Sequence, residues 1–247
     1  MSKNPDYGGC GTWLRRFKGS HTSSVLKALA NAEDIKASLL FRPATIPNAT
    51  AMLRMSEIRK HDLWYNTELP ISEDYDFIFR CVQHLKFANI QELLYMYRDS
   101  ETSIMKQFEA LEERQYQIQK TIYKRALKGL NLNYTEQDLR TYQLICSEKI
   151  FGDFDEFTSA YALLQKIEGA NNKAKIYDKK SLRKVLGNQF FFFAKKASKF
   201  GFKTFWFFLR KSIKKSWPVL SQNTLKLGVR CTLKYDRFEF EKPYFSP

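Results

Sequence analysis

Three carboxylates, Glu73, Asp74 and Asp76, fall within four positions of a chain whose formal net charge is +15. The stretch "ELPISEDYDFIFRC", residues 68–81, sets them just before an apolar run. Carboxylates in the first turn of a helix are favoured by the unpaired N–H groups and the dipole there. The same field favours the ionised form of a carboxyl group, and an ionised carboxylate can accept a proton from a substrate hydroxyl. Helix stabilisation and general-base chemistry are therefore both open readings of this motif.

The neighbouring elements decide how such a carboxylate would be aimed. Ser72 is the expected N-cap of a helix running to about Leu85, with Phe77, Ile78, Cys81, Val82 and Leu85 as its apolar stripe. Asp76 and Arg80 stand four apart and can pair on the helix surface. Upstream, "PDYGGCGTWLRRFKGS" reads as a glycine-rich turn and then a strand over Thr12 to Phe17. "NAEDIKASLLF" has the helical period, and the two prolines of "RPATIPNAT" enforce irregular backbone. "TAMLRMSEIRKHD" reads as a short strand and a short helix, and "FANIQELLYMYR" as one or two short strands. Helices are expected over Ser103 to Lys128, Thr135 to Glu148 and Phe154 to Ile167.

Composition bounds the class. A chain of 247 residues with 44% hydrophobic content can build a core, which excludes global disorder. Cys10, Cys81, Cys146 and Cys231 are scattered, show no C-x-x-C spacing and read as reduced thiols in a cytosolic setting. The N-terminus lacks the apolar core of a signal peptide, and no uncharged apolar stretch reaches the roughly 18 residues of a membrane span. Charge is unevenly placed: residues 1–170 hold 22 Lys+Arg against 22 Asp+Glu, whereas residues 171–247 hold 19 against 4. The excess resides in the last third, which points to a separate task for the tail.

The order "PNATAMLR", "ISEDYDFIFR", "FANIQELLYMYRDSETSI" resembles the second half of a family 2 glycosyltransferase of the inverting, GT-A type. In that family a segment like "HPSVMFR" precedes an acidic ED-aromatic-D motif, and a YR-x-H-x-x-S segment follows. The resemblance covers roughly residues 4–130. It implies an α/β fold, an incomplete GT-A unit of few mixed strands with helices, followed by a mostly helical C-terminal region. The implied division is an acceptor-side half over 1–130, a helical extension over 131–170 and a basic, aromatic-rich region over 171–247. By the resemblance Asp74 is the catalytic base, deprotonating an acceptor hydroxyl that attacks the anomeric carbon of a nucleotide-sugar donor in line. Glu73 lines the acceptor site or holds backbone, Asp76 acts structurally through Arg80, and Arg54 and Arg98 match arginines near the cleft. Trp64 and Tyr75 can offer a sugar an aromatic face or simply pack. Asn48 and Ser100 stand where the family has histidine, and His21, His61 and His84 fall on neither position.

Family members begin with a nucleotide-binding half ending in an Asp-x-Asp-type motif that holds a divalent metal, Mg or Mn, on the donor diphosphate. No such segment precedes "MSKNPDYGG", so the expectation is a chain without its donor half, binding no metal by itself and dependent on a partner chain for transfer. Glycan or lipid-linked acceptors in cell-surface polysaccharide synthesis follow at the family level. The alternative is a non-catalytic remnant that docks on another subunit at the membrane surface.

From Tyr177 to Trp217 the chain turns to Phe and Lys. Wound as a helix, Lys195, Lys196, Lys199, Lys203, Arg210 and Lys214 share one side, and Phe190, Phe193, Phe200, Phe205 and Phe208 the other, with a bend at Gly201. The segregation suggests a helix lying on an anionic membrane surface, which places the protein in the cytoplasm, peripheral on the inner face of the membrane. That would set the cleft beside a lipid-linked acceptor. The other reading of the Phe stripe is core packing. No nucleic-acid motif accompanies the basic residues, and nucleic acid is not an expected partner.

Overall fold

A computed structural model describes residues 2–100, 111–214 and 222–236. These fall into two compact units, one up to Ile122 and one from Tyr123 onward. The architecture is mixed α/β, with a small open sheet that, among the described residues, belongs to the first unit.

In the first unit, β1 (Tyr7–Lys18) is the central strand. Along one side it pairs antiparallel with β2 (His21–Leu26) and with the short β3 (Met52–Leu53). Along the other side it pairs parallel with β4 (Lys86–Arg98), from Tyr7 opposite Lys86 to Phe17 opposite Arg98. The glycine cluster is thus part of a strand and not a turn, and the reason is steric. A Cβ at Gly9 would lie 2.3 Å from the Phe87 ring, and one at Gly8 would lie 2.6 Å from the Leu85 side chain. Only bare backbone lets these apolar side chains cross β1.

Helix α1 (Ala32–Ser38) is capped by Asn31, whose side chain accepts the N–H groups of Glu33 and Asp34. Two 3-10 turns, Pro43–Thr45 and Asn48–Thr50, form the irregular segment expected from its prolines. The short helix α2 (Met55–Lys60) follows β3, and α3 (Glu73–His84) runs to the start of β4. The core of this unit joins Ile35, Leu39 and Phe41 to Phe77, Ile78, Val82 and Phe87, all buried. Burying side chains of this size contributes roughly 1.5–3 kcal/mol each. Asn89 is buried among them and donates to the carbonyls of Leu29 and Thr45 at 2.7 and 3.1 Å, tying two loops to β4.

Helix α4 (Glu112–Gly129) occupies the later part of the helix expected from Ser103, and residues 103–110 lie outside the described residues. The second unit is helical: α5 (Glu136–Cys146), α6 (Phe154–Ala174), α7 (Lys179–Lys196), α8 (Phe202–Lys214) and α9 (Gln222–Thr232). A capping box of Thr135 and Asp138 starts α5, and Asp153 caps α6. A division at residue 170 does not occur, because α6 runs through it and packs on both α5 and α7. Nor does one fall at 130: the units divide after Ile122, within α4. Helix α9 follows Pro218, where the sequence carries weak signals.

The second core is aromatic. Phe157 of α6 meets Phe151 at 5.8 Å, Phe190 at 6.0 Å and Phe207 at 5.4 Å between ring centroids. Phe193 packs edge-on against Phe151, and Phe208 lies 5.2 Å from Phe190. Gly201 sits at φ +79° between α7 and α8, the bend expected there.

Candidate functional site

The acidic motif forms the first turn of α3, and its three carboxylates have three different surroundings. Asp76 is fully buried and receives the Arg80 Nε–H at 2.8 Å, the pairing its spacing predicts. Arg80 also donates to the Trp64 carbonyl, so the pair fastens the loop between α2 and α3 onto the helix. Glu73 and Asp74 are half-buried at the helix start, and Asp74 Oδ1 accepts the Tyr75 N–H at 2.7 Å. Ser72 does not act as a side-chain cap. Its backbone is left-handed, at φ 61°, where a capping residue needs extended backbone, and its Oγ accepts from Gln119 Nε2 at 3.2 Å.

Asn48 is brought to the same place from the second 3-10 turn. Its Oδ1 accepts the Tyr65 hydroxyl at 3.1 Å, and the Tyr65 ring stacks on Phe77 of α3 at 4.2 Å. Burial, and then the negative charges of Asp74 and Glu73, hold the Tyr65 phenol above its ordinary range. Asn48 and Tyr65 are thus joined to α3 through Phe77, within electrostatic reach of Glu73 and Asp74 in its first turn. Trp64, one position before Tyr65 in the loop, has half its surface exposed and its indole N–H donated to Asp62 at 2.8 Å.

Three expected members sit elsewhere. Tyr75 is buried, with its hydroxyl donated to the Leu39 carbonyl at 2.7 Å, so it packs and offers no face to a ligand. Arg54 donates through Nε to the Tyr7 carbonyl and through its guanidinium to the Asn4 carbonyl, at 3.1 and 3.3 Å. It ties the chain ahead of β1 to β3. Arg98 is exposed as the last residue of β4. Tyr65 escaped the sequence reading; the signal available was a Trp-Tyr pair in an otherwise polar loop, "HDLWYNTELP".

Among the described residues no three His, Cys, Asp or Glu side chains gather to hold a metal ion. A shallow cavity of 130 Å³ lies at the opposite end of α3 from Asp74, lined by Glu33, Lys36, His84 and Lys86. Ligand pockets for small molecules span about 300–1,000 Å³, so this depression is too small for a nucleotide sugar.

The residues expected on a membrane surface divide. Phe193 and Phe208 are buried in the aromatic core, and so is Lys196, whose ammonium position donates to the carbonyls of Leu144 and Ser147. These three are corrected from surface to interior, because Phe151 takes the Phe193 ring, Phe190 and Phe191 take the Phe208 ring, and the end of α5 supplies the partner carbonyls for Lys196. Lys195, Lys199, Lys203 and Phe200 remain partly or fully accessible. Lys203 lies 4.5 Å above the Phe154 ring, and Lys199 5.1 Å from the Phe200 ring. No helix among the described residues is long and apolar enough to cross a membrane.

Compared with family models, with curated proteins and with solved structures, the chain matches none.

Proposed function

We propose that the chain is the acceptor-side part of an inverting glycosyltransferase of the family 2, GT-A type, with Asp74 as the general base. The observation that carries this reading is the placing of half-buried Glu73 and Asp74 in the first turn of α3, within electrostatic reach of the Tyr65 phenol that bonds to Asn48, with the exposed Trp64 one position before Tyr65 in the same loop. An exposed aromatic face and partly accessible carboxylates suit a sugar, whose C–H faces pack on rings while its hydroxyls seek acceptors. In the reaction the acceptor hydroxyl gives its proton to an Asp74 carboxylate oxygen as its own oxygen bonds to the anomeric carbon. The bond from that carbon to the nucleotide diphosphate breaks on the opposite face. Glu73 and Asn48 orient the acceptor, and the buried Asp76–Arg80 pair holds the loop that carries Trp64 and Tyr65. The donor and any metal upon it are held by a further polypeptide segment, in this chain or a partner.

The test is sugar transfer measured with a donor-binding half supplied. Asp74→Asn lowers kcat by about 10²–10⁴ and leaves donor affinity unchanged. Undiminished turnover removes Asp74 from the role. The exposed outer face of β4 favours a second reading, a non-catalytic subunit that docks on another transferase. In that case Asp74→Asn leaves the transfer rate of the assembled complex untouched, while changes on β4 lower it.

A further inference from the structure

The outward surface of the α8–α9 pair has a composition that the core of the second unit does not explain. Phe202 and Trp206 on α8 and Leu225, Val229 and Leu233 on and just after α9 are between 59% and 73% exposed. They stand four apart along each helix, so each set forms a stripe. The two helices meet where Phe205 lies against Gly228; a Cβ there would be 3.3 Å from the ring. At the other end Gly201 approaches Cys231 and Lys234, so the helices run antiparallel. Winding both at about 100° per residue from these contacts turns the two apolar stripes toward their shared outer seam. The result is one apolar ridge spanning both helices.

Basic residues flank the ridge on both sides. Lys203 and Arg210 follow the stripe on α8 away from the seam, and Lys226 and Arg230 do so on α9. Not one acidic residue occurs from Lys179 to Tyr235, a stretch holding 15 Lys and Arg. We propose that this ridge is a docking surface for an anionic lipid bilayer, with Phe202, Trp206, Leu225, Val229 and Leu233 entering the headgroup–acyl boundary and the basic rows meeting the headgroups. The proposal does not rest on the sugar-transfer reading. Trp and Phe are suited to the membrane interface, and the charge pattern answers a negative surface. A second copy of the chain fits poorly, since pairing two such ridges opposes cation with cation. Nucleic acid fits poorly as well, since Leu225, Val229 and Leu233 give bases nothing to stack on.

The experiment is co-sedimentation of the full chain with phosphatidylcholine vesicles, with and without phosphatidylglycerol, at low and high salt. The chain is expected to pellet with the anionic vesicles and to be released by salt, with Trp206 emission shifting to the blue on binding. Phe202→Gln with Trp206→Gln is expected to weaken binding about tenfold or more while the circular dichroism is unchanged. Arg210→Glu with Lys226→Glu is expected to remove the dependence on phosphatidylglycerol. The proposal is overturned if the chain stays in the supernatant at low salt, or if the Phe202 and Trp206 changes leave binding intact. It is equally overturned if those changes instead abolish a concentration-dependent dimer or the binding of single-stranded DNA, with no vesicle binding in the unaltered chain.

Discussion

Lys196 shows how much one position can depend on a distant element. It closes α7, and its Nζ reaches the carbonyls of Leu144 and Ser147 at the end of α5, where a helix leaves its last carbonyls short of backbone partners. The Phe151 ring lies 5.0 Å away. Burial nevertheless dominates and pulls the amine down to about 7, against the smaller opposing pull of Cys146, Glu156 and Glu148. A neutral amine keeps two N–H groups, enough for both carbonyls. The sign of the pH effect follows. An unfolded lysine holds its proton up to about pH 10.4, whereas the folded one releases it above about 7. Within that window the unfolded state binds more protons, so stability rises with pH, by at most about 1.4 kcal/mol per unit. Urea unfolding at a series of pH values between 7 and 10 should show this slope. Lys196→Met should flatten it, and an equal slope in both proteins would rule the assignment out.

At the scale of elements, the β1–β4 ladder depends on three glycines. Gly8, Gly9 and Gly11 leave room for Leu85, the Phe87 ring and Asn89 Oδ1, which would lie 2.4 Å from a Cβ at Gly11. Gly9→Val suits strand propensity and would be neutral or helpful in an ordinary strand. Here it collides with Phe87, which is buried with nowhere to move. The expected loss is about 1–3 kcal/mol in urea unfolding of the first unit, the range for overpacking a core. Gly9→Val combined with Phe87→Ala should recover part of that loss. The buried Asp76–Arg80 pair and the Tyr75 hydroxyl on Leu39 fix the rotation of the first turn of α3, and with it the direction in which Asp74 projects.

At the scale of the whole molecule, the feature expected to drive self-association is β4. Its inner edge is paired to β1, and among the described residues no strand pairs with its outer edge. Ile90, Leu94, Tyr95, Met96 and Tyr97 are all exposed along it. A long, apolar, unpaired edge is a template for further strand pairing. The purified chain should bind ANS and self-associate as its concentration rises, and Leu94→Lys should reduce both without changing the circular dichroism. A chain that stays monomeric with no ANS signal would overturn this. The charge imbalance does not oppose such pairing, because the excess of 15 positive charges falls in residues 171–247, while the part of the chain that contains β4 is balanced.

Local rules made much of this protein readable from its sequence. The acids of the α3 first turn, the Asp76–Arg80 spacing, the prolines before β3 and the bend at Gly201 each act over a few residues, so they appear in a short window. Periodicity likewise marked the Phe and Lys faces of the helices after Asp178. Which face turns inward was not legible there, because that depends on what another element presents. Phe151 and Phe157 take Phe190 and Phe193 into the core, and the last carbonyls of α5 take Lys196. The outward rings, Phe202 and Trp206, are the ones those partners do not reach. The glycine cluster read as a turn because glycine's backbone freedom is a local property, whereas its use in β1 is the absence of a side chain where Phe87 crosses. Asn48 and Tyr65 are 17 positions apart and meet against Phe77 of α3 only once β3, α2 and α3 have packed. Sequence determined the elements and their chemistry; burial and long-range packing, which no local window contains, decided the faces and the site.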